Sequence, residues 1–291
     1  MKLTIPEEEI VQPGHLACLG CGAMLALRYT LKALGKKSVL VIPACCCTVI
    51  DGPFPYTSYG VPLLHCAFEA TGAVASGVRA ALDIKGDKET TVIGWAGDGG
   101  TFDIGIQALS GAAERGENIL YICYDNEAYM NTGIQRSSAT PWGAWTTTTP
   151  VKFPKETPKK DMVAIMAAHN ISYTATLCVA YPEDFIKKVK KAKEKPGTKF
   201  LHVFAPCPTG WKMRPDLTIK IGRLAVETKV FPLYEVEDGK WRITIKSKGT
   251  PVVEYLKLQG RFAHLKEEDI QIIQKNVDDA YERLLKKVEM S

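Results

Sequence analysis

The stretch TTVIGWAGDGGTFDIGIQALSGAAERGENILYICYDN, residues 90–126, contains the pattern that decides the fold. Residues 90–95 predict a strand that ends in a glycine-rich turn, residues 104–114 predict a helix, and residues 119–124 predict the next strand. Both strands are apolar without polar alternation, so both of their faces should be covered. A strand, a helix and a second strand in this order predict a parallel pair.

The same alternation extends in both directions along the chain. Helices are predicted at residues 23–34, 68–82, 162–169 and 182–193, and strands at residues 38–42, 173–180 and 200–205. This order predicts an α/β fold with a doubly wound, mainly parallel sheet. Ligands in such sheets bind at the carboxyl ends of the strands, and the polar clusters and cysteines of this chain follow residues 42, 95, 124 and 205.

The pattern changes at about residue 210. Residues 231–245 predict a hairpin with its turn at Asp238-Gly239, and residues 267–288 predict a charged amphipathic helix. We therefore predict a main domain at residues 1–210 and an extension at residues 211–291 that packs on it or on partner subunits.

Composition excludes several classes of protein. The chain has 291 residues, 46% of them hydrophobic and 24% charged, as is ordinary for a globular protein. A net charge of +5 gives no support to nucleic-acid binding. The first residues include Glu7, Glu8 and Glu9, and no apolar run approaches the length that spans a membrane. We expect a cytoplasmic protein, with the lysines of residues 187–195 on a solvated helix face.

Two polar clusters follow neighbouring predicted strands. Asp98 lies in a Gly-Asp-Gly turn, and Asn126 follows the next strand 28 positions later. The Asp98 carboxylate, the Asn126 amide oxygen and the Ala128 backbone carbonyl are oxygen ligands of the kind that Mg²⁺ takes. A Gly-Asp-Gly turn alone is common in loops. A Gly-Asp-Gly turn followed at this distance by an asparagine cluster resembles the thiamine diphosphate motif.

The surrounding residues suit a diphosphate. Gly97 and Gly99 let the backbone approach the phosphates without a side-chain clash. The helix predicted to begin near Asp103 directs its N-terminus at the anion. Asn131 is positioned to donate a hydrogen bond to a phosphate oxygen.

The nine cysteines fall into two groups. Cys66, Cys123 and Cys178 lie in apolar runs and read as buried small side chains. The others stand at predicted loop ends: Cys18 and Cys21 before a helix, Cys45, Cys46 and Cys47 after a strand, and Cys207 after the last strand. Four thiolates suit a [4Fe–4S] cluster or a structural zinc, and a CxxC pair alone also suits a redox dithiol.

The stretch from His15 to Trp211 resembles the β subunits of 2-oxoacid:ferredoxin oxidoreductases, the pyruvate and 2-oxoisovalerate enzymes. The resemblance rests on CLGCG at residues 18–22, GWAGDGGTFDIGIQALSGAAERG at residues 94–116, YDNEAYMNTG at residues 124–133 and PCPTGW at residues 206–211. Segments of the tail, such as LAVETKVFPLYE, fit as well.

The resemblance implies a role for each matching residue. Asp98, Asn126 and the Ala128 carbonyl match the family's magnesium ligands. Cys18, Cys21 and Cys207 match three ligands of one [4Fe–4S] cluster. Cys46 matches the fourth because it stands eight residues before the Phe54-Pro55-Tyr56 motif, although the family more usually has a single cysteine where this chain has three.

The resemblance also implies a reaction. It is the coenzyme A-dependent oxidative decarboxylation of a 2-oxoacid to an acyl-CoA and carbon dioxide, with electrons leaving through the cluster to ferredoxin. The implied partners are α, γ and δ subunits. No catalytic residue is assigned in this chain, since the activating glutamate is expected on the α subunit, and the isolated chain is predicted to be inactive.

Two other hypotheses remain open from the residues. The chain could be a subunit of a thiamine diphosphate-dependent decarboxylase or synthase without a cluster. It could also be a zinc-stabilised scaffold subunit without catalytic function, which would leave the Asp98 and Asn126 motif unused. Metal analysis separates these hypotheses. Pyruvate and a branched-chain 2-oxoacid are both candidate substrates.

Overall fold

A computed structural model describes residues 4–291 and contains one eight-stranded sheet. The strands are β1 (Ser38–Pro43), β2 (Leu63–Cys66), β3 (Thr91–Gly97), β4 (Leu120–Asp125), β5 (Tyr173–Cys178), β6 (Lys199–Phe204), β7 (Leu233–Glu237) and β8 (Lys240–Ile245). Their order across the sheet is β2-β1-β3-β4-β6-β5-β7-β8. The first six in this order are parallel, and β7 and β8 are antiparallel. The predicted fold class is confirmed.

Ten α-helices occur within residues 4–291. They are α1 (Gly22–Leu34), α2 (Cys46–Ile50), α3 (Thr71–Ile84), α4 (Ile106–Glu114), α5 (Met162–Ala168), α6 (Pro182–Glu194), α7 (Pro208–Trp211), α8 (Thr218–Glu227), α9 (Val253–Leu256) and α10 (Glu267–Met290). None of the helices in this part of the chain combines the length and the apolar character needed to cross a membrane.

The parallel strands are covered on both faces, as their apolar sequences require. On one face α1 packs against α6, with Leu27, Leu31, Phe185 and Val189 fully buried. On the other face α3 packs against α4, close enough that a Cβ added at Gly72 would lie 2.8 Å from the Ala108 backbone. This close contact requires glycine at position 72 of α3.

The C-terminal hairpin continues the sheet. β7 pairs with β5, and the two residues of the predicted turn, Asp238 and Gly239, have φ values of 49° and 80°. Positive φ at both positions is typical of the tight turns that match the twist of a hairpin. Phe231 and Leu233 pack in one hydrophobic cluster with Phe204 and Trp211, so the core crosses the predicted boundary at residue 210.

Two local predictions were wrong. The helical conformation after β3 begins at Gly99 with a π-type turn, Gly99–Asp103, and not near Asp103, because glycine tolerates the tight turn directly after the strand. The lysines of α6 are not all solvated. Lys188 is 1% exposed and pairs with Asp184, whereas Lys191 pairs with Glu235.

Candidate active site

The turn after β3 places Asp98 inside the protein. Asp98 is fully buried, and the helical turn Gly99–Asp103 starts directly behind it. A Cβ at Gly99 would overlap the Tyr129 ring, and a Cβ at Gly100 would lie 3.1 Å from the Phe68 ring. Glycine is therefore required here for close packing, and the first amides of this helical turn, which lack partners within the helix, follow directly after the carboxyl end of β3.

The loop after β4 curves towards the same point. Glu127 has φ of 67°, a left-handed conformation that non-glycine residues rarely adopt. Its backbone N–H donates to Asp125 Oδ1 at 2.9 Å, which fixes the bend. The bend presents Asn126 and the backbone carbonyl of Ala128 to Asp98, and both residues are buried.

Three oxygen-bearing groups meet at this bend. One terminal atom of the Asn126 side-chain amide lies 2.9 Å from Asp98 Oδ1 and 3.0 Å from the Ala128 carbonyl oxygen. With its nitrogen in that position the amide donates two hydrogen bonds. With its oxygen there, that oxygen is separated from each of the other two by about the edge of a magnesium octahedron, which is about 3.0 Å for metal–oxygen bonds of about 2.1 Å.

The electrostatic surroundings of Asp98 favour a cation. Burial and the neighbouring Asp125 carboxylate raise the pKa of Asp98 well above its ordinary value. The Ser137 hydroxyl, which donates to Asp98 Oδ2, opposes this rise. A divalent cation at the three oxygens would supply the positive charge that the ionised carboxylate needs in a buried position.

A buried network of charges holds the loop after β4 in place. Lys159 pairs with Asp125 and, at 2.8 Å, with Glu127 Oε1. Arg261 Nη2 pairs with Glu127 Oε2 at 2.6 Å, and the two side chains are 3% and 2% exposed. His202 Nε2 lies 2.6 Å from Asp125 Oδ2. These pairs fix a backbone conformation that would otherwise be strained.

Of the predicted diphosphate residues, Asn131 lies farthest from the buried group. It occupies an exposed position on the same loop, five residues beyond Asn126. Gly97 ends β3 and packs on the Tyr124 ring, with 3.3 Å between an added Cβ and the Tyr124 hydroxyl oxygen. The structure thus brings Asp98, Asn126 and Ala128 together, and places Gly97, Gly99 and Asn131 around them.

Four cysteines meet at the carboxyl end of the same sheet. Burial raises the pKa of the Cys46 thiol, and the thiolates of Cys45, Cys207, Cys21 and Cys18 act in the same direction. Burial also raises the pKa of Cys207 to about 11, again with Cys21 and Cys18 as neighbours. Cys18, Cys21, Cys46 and Cys207 therefore lie near enough to one another for their charges to interact.

Glycines allow the loops that carry these cysteines to touch. A Cβ at Gly22 would lie 2.7 Å from the Pro206 backbone, and a Cβ at Gly20 would overlap the Pro215 carbonyl. The Gly22 N–H donates to the Pro206 carbonyl at 3.1 Å. The CxxC turn is thereby docked on the segment that contains Cys207.

The other two cysteines of the triplet turn into the core. Cys47 is fully buried, and its sulfur accepts a hydrogen bond of 3.2 Å from Trp95 Nε1. Cys45 faces the Tyr124 hydroxyl and the Cys47 thiol. Cys46 is the one of the three that has both Cys21 and Cys207 among the charges that shift its pKa. No three His, Cys, Asp or Glu side chains within residues 4–291 are grouped closely enough to hold a single metal ion.

One side chain connects the two sites. Trp211, four residues after Cys207, donates from its indole Nε1 to the Asn126 backbone carbonyl at 2.8 Å. The Arg261 guanidinium stacks on the Trp211 ring at 3.8 Å. Met130 of the loop after β4 packs on Gly210, where an added Cβ would overlap its sulfur. The cysteine segment and the Asp98–Asn126 group are therefore in direct contact.

Sequence reasoning missed several supporting residues. Ser137 was not among the predicted site residues, and Trp211 was noted only as part of the PCPTGW motif. Lys159 and Arg261 lacked any local signal, because each contacts residues more than thirty positions away. The Ser137 hydroxyl and the Trp211 indole each provide a hydrogen-bond donor to a buried oxygen of the site.

Comparisons with known proteins agree with this geometry. The sequence profile of the family described as "Thiamine pyrophosphate enzyme, C-terminal TPP binding domain" matches residues 46–203. The ketoisovalerate oxidoreductase subunit VorB of Pyrococcus abyssi is 56% identical, over 99% of this chain and 96% of that protein. The pyruvate synthase subunit PorB of Methanothermobacter thermautotrophicus is 54% identical, over 97% of this chain and 99% of that protein.

A solved structure has the same fold. It is the 2-oxoglutarate:ferredoxin oxidoreductase from Magnetococcus marinus, with a TM-score of 0.60 and 20% sequence identity. The match covers 77% of this chain and 81% of that one.

Proposed function

Because this chain belongs to the thiamine pyrophosphate enzymes, and among them to the β subunits of 2-oxoacid:ferredoxin oxidoreductases that include VorB and PorB, we propose a function for its two sites. The chain binds thiamine diphosphate through Mg²⁺ and carries a [4Fe–4S] cluster. With its partner subunits it oxidatively decarboxylates a 2-oxoacid with coenzyme A and passes the electrons to ferredoxin. The contact between the Asn126 loop and the Cys207 segment is the observation that carries this proposal.

The magnesium part of the proposal rests on oxygen geometry. The Asn126 amide is separated from both Asp98 Oδ1 and the Ala128 carbonyl oxygen by about the distance between adjacent ligands of one octahedron. Phosphate oxygens and water would complete such a site. Ser137 holds the second carboxylate oxygen of Asp98, so that one oxygen remains for the cation.

The diphosphate part rests on the turn after β3. Gly99 and Gly100 are buried in a helical turn whose first amides lack partners within the helix. These amides and the helix dipole favour an anion at this position. Asn131 is proposed as a further donor from the loop rim. Bound there, thiamine diphosphate supplies the electron sink that decarboxylation of a 2-oxoacid requires.

The cluster part rests on the proximity of four thiols. Cys18, Cys21, Cys46 and Cys207 lie near one another on three loops, and the Gly22 N–H docks the CxxC turn on the Pro206 carbonyl beside Cys207. A cluster held there would lie next to the Trp211 segment that touches the Asn126 carbonyl. This adjacency suits the transfer of electrons from the reacting centre.

The chain's own residues bind and orient, and the reaction needs a partner. The residues proposed here hold a cation, an anion and a cluster, and the activating glutamate is proposed to come from the α subunit. The γ and δ subunits, ferredoxin and coenzyme A belong to the same proposal, as does a cytoplasmic location. The identities to VorB and PorB are nearly equal, so both 2-oxoisovalerate and pyruvate are proposed as substrates to be compared.

The test is to purify the complex anaerobically with its co-expressed partners and to measure iron, sulfide, zinc and the visible spectrum. We expect a brown protein that a 2-oxoacid and coenzyme A together bleach, and the acid that bleaches it faster identifies the substrate. A colourless protein that still binds thiamine diphosphate would support the decarboxylase or synthase without a cluster. A colourless protein that contains zinc and does not bind thiamine diphosphate would support the scaffold hypothesis.

A further inference from the structure

A second cavity lies at the end of the sheet opposite the candidate active site. It has a volume of about 390 Å³. Its lining includes Thr91, Leu120 and Lys199, the first residues of β3, β4 and β6, and Lys37, which precedes β1. The cavity therefore opens at the amino ends of four neighbouring strands, whereas Asp98 and Asn126 follow the carboxyl ends.

The lining of this cavity is strongly cationic. It contains five cations and one acid, and thus accounts for a net charge of +4 in a chain whose total is +5. The cations are Lys37, Arg79, Lys88, Lys193 and Lys199, and the acid is Glu89. Glu89 is itself paired with Lys37, and both side chains are largely exposed. Of the buried cations, Arg79 has the Asp83 carboxylate as a partner, whereas Lys199 donates to a neutral amide oxygen.

Lys199 is the most unusual of these cations. It is 3% exposed, and its Nζ donates to the Asn118 side-chain oxygen at 2.6 Å. No carboxylate within residues 4–291 forms an ion pair with it, and burial, with the nearby Arg79 charge, lowers its pKa to about 8. Lys188, which is equally buried, has the Asp184 carboxylate at 2.8 Å. Burial of a lysine charge without an acid is costly, and an anion would offset the cost.

Arg79 lines the same cavity from α3. Its side chain is 3% exposed, Nη1 donates to the Thr90 carbonyl at 2.9 Å, and Nη2 pairs with Asp83 at 3.0 Å. Its Nε–H is buried and lacks a hydrogen-bond partner in the described part of the chain. A buried donor without an acceptor destabilises a fold, and an anion bound in the cavity would supply an acceptor.

We propose that this cavity is a binding site for a phosphate-bearing small molecule, separate from the diphosphate site at the other end of the sheet. The guanidinium and ammonium groups offer charge-assisted hydrogen bonds to phosphate oxygens. The cavity volume falls in the range of small-ligand pockets. Inorganic phosphate and a nucleoside monophosphate share this chemistry, and the pocket has room for more than one phosphate group.

Calorimetry on the full chain tests the proposal. Thiamine diphosphate and Mg²⁺ are kept saturating, and the protein is titrated with inorganic phosphate and then with AMP. We expect saturable binding, and Lys199→Met should weaken it by about tenfold or more, as loss of a hydrogen bond to a charged group does. Tighter binding of AMP would identify a nucleotide as the ligand class, and equal binding would identify phosphate itself.

A second variant separates binding from folding, because Lys199 is buried and its substitution affects the core. Lys88 and Lys193 are exposed, so the double variant Lys88→Gln/Lys193→Gln should fold normally and bind phosphate more weakly. Its matched control is Lys240→Gln/Lys246→Gln, which removes two exposed lysines elsewhere and should leave binding unchanged. Absence of saturable binding, or equal weakening in the control, would overturn the proposal. So would loss of phosphate binding when the partner subunits assemble on the chain.

Discussion

Glu127 stands between the two proposed magnesium ligands Asn126 and Ala128, yet its carboxylate points away from them. It pairs with Arg261 and Lys159, both largely or fully buried. The pairing secures a positive φ that a glutamate does not adopt without support. At the residue scale, the geometry of the cation site therefore depends on charges that never touch the cation.

Replacing Arg261 by alanine should be strongly destabilising. The change leaves the Glu127 carboxylate with one partner fewer in a buried position, and loss of one member of a buried pair costs about 3–5 kcal/mol. Arg214→Ala is the matched control, because Arg214 pairs with Asp216 on the surface with 77% of its side chain exposed, where a pair is worth about 1 kcal/mol or less. Urea unfolding monitored by circular dichroism measures both. Equal effects would show that the Arg261 pair has no special role.

The three adjacent cysteines allow a second prediction at this scale. Cys46→Ala should abolish bound iron and sulfide with little loss of stability, because Cys46 faces the other three candidate ligands. Cys47→Ala should keep the iron, but it leaves the Trp95 N–H unpaired in the core, at about 1–3 kcal/mol. Iron and sulfide per chain and the free energy of unfolding distinguish them. Iron retained in the Cys46 variant would assign the ligand to another cysteine.

The residues that the sequence could identify are those with a local signal. Asp98, Asn126 and Ala128 were predicted from their spacing on successive strands, and the structure brings them together. Arg261 and Glu127 are 134 positions apart, and the sequence near either residue does not predict that they form an ion pair. Long-range partners of this kind depend on how the whole chain packs, which spacing along the sequence does not encode.

At the element scale, the contact between α3 and α4 depends on a single glycine. Gly72 touches the backbone of Ala108 and Leu109, and any side chain there would push the helices apart. Gly77 lies one and a half turns later on the same helix, exposed and with open space around its Cα. The two glycines therefore have opposite expected responses to the same substitution.

Gly72→Ala should destabilise the protein, because a Cβ 2.8 Å from backbone atoms forces a shift of one helix, at about 1–3 kcal/mol for overpacking. Gly77→Ala should stabilise it by about 0.5–1 kcal/mol, because alanine is the better helix former. Thermal unfolding of the two variants and the parent measures the difference. Stabilisation by both changes would mean that the helices are less closely packed than described.

The long elements were predictable and the short ones were not. The predicted helix at residues 23–34 and hairpin at residues 231–245 were confirmed to within a few residues. The helices α2 and α7 span five and four residues, too few for a periodic pattern, and β2 is a half-exposed edge strand of four residues. The π-type turn at Gly99 escaped prediction because glycine is compatible with many conformations.

At the scale of the whole molecule, the C-terminal segment completes both the sheet and the candidate site. β7 covers the edge of β5, Trp211 contacts the Asn126 carbonyl, and Arg261 pairs with Glu127. The division at residue 210 stays a prediction. The structure shows in addition that residues after it contribute to the core around Phe204.

A chain that ends at residue 210 should therefore fail to fold into a form that binds thiamine diphosphate. It exposes β5 as an edge strand and leaves Glu127 without Arg261. The control is a chain that ends at residue 266, which lacks α10 but keeps Trp211, Arg261 and the hairpin. The control should stay soluble and bind the cofactor. Size-exclusion chromatography and calorimetry compare the two, and equal affinity of the shorter chain would refute the prediction.

The five residues from Cys207 to Trp211 couple the cysteine site to the Asp98–Asn126 group. Trp211 reaches the Asn126 carbonyl only if this short helix keeps its position, and Cys207 is the residue at which the helix begins. For an enzyme that carries a cluster on Cys207, damage by oxygen would release that end of the helix and the indole with it. Under that proposal, exposure to air should weaken the binding of the vitamin-derived cofactor as well as bleach the protein.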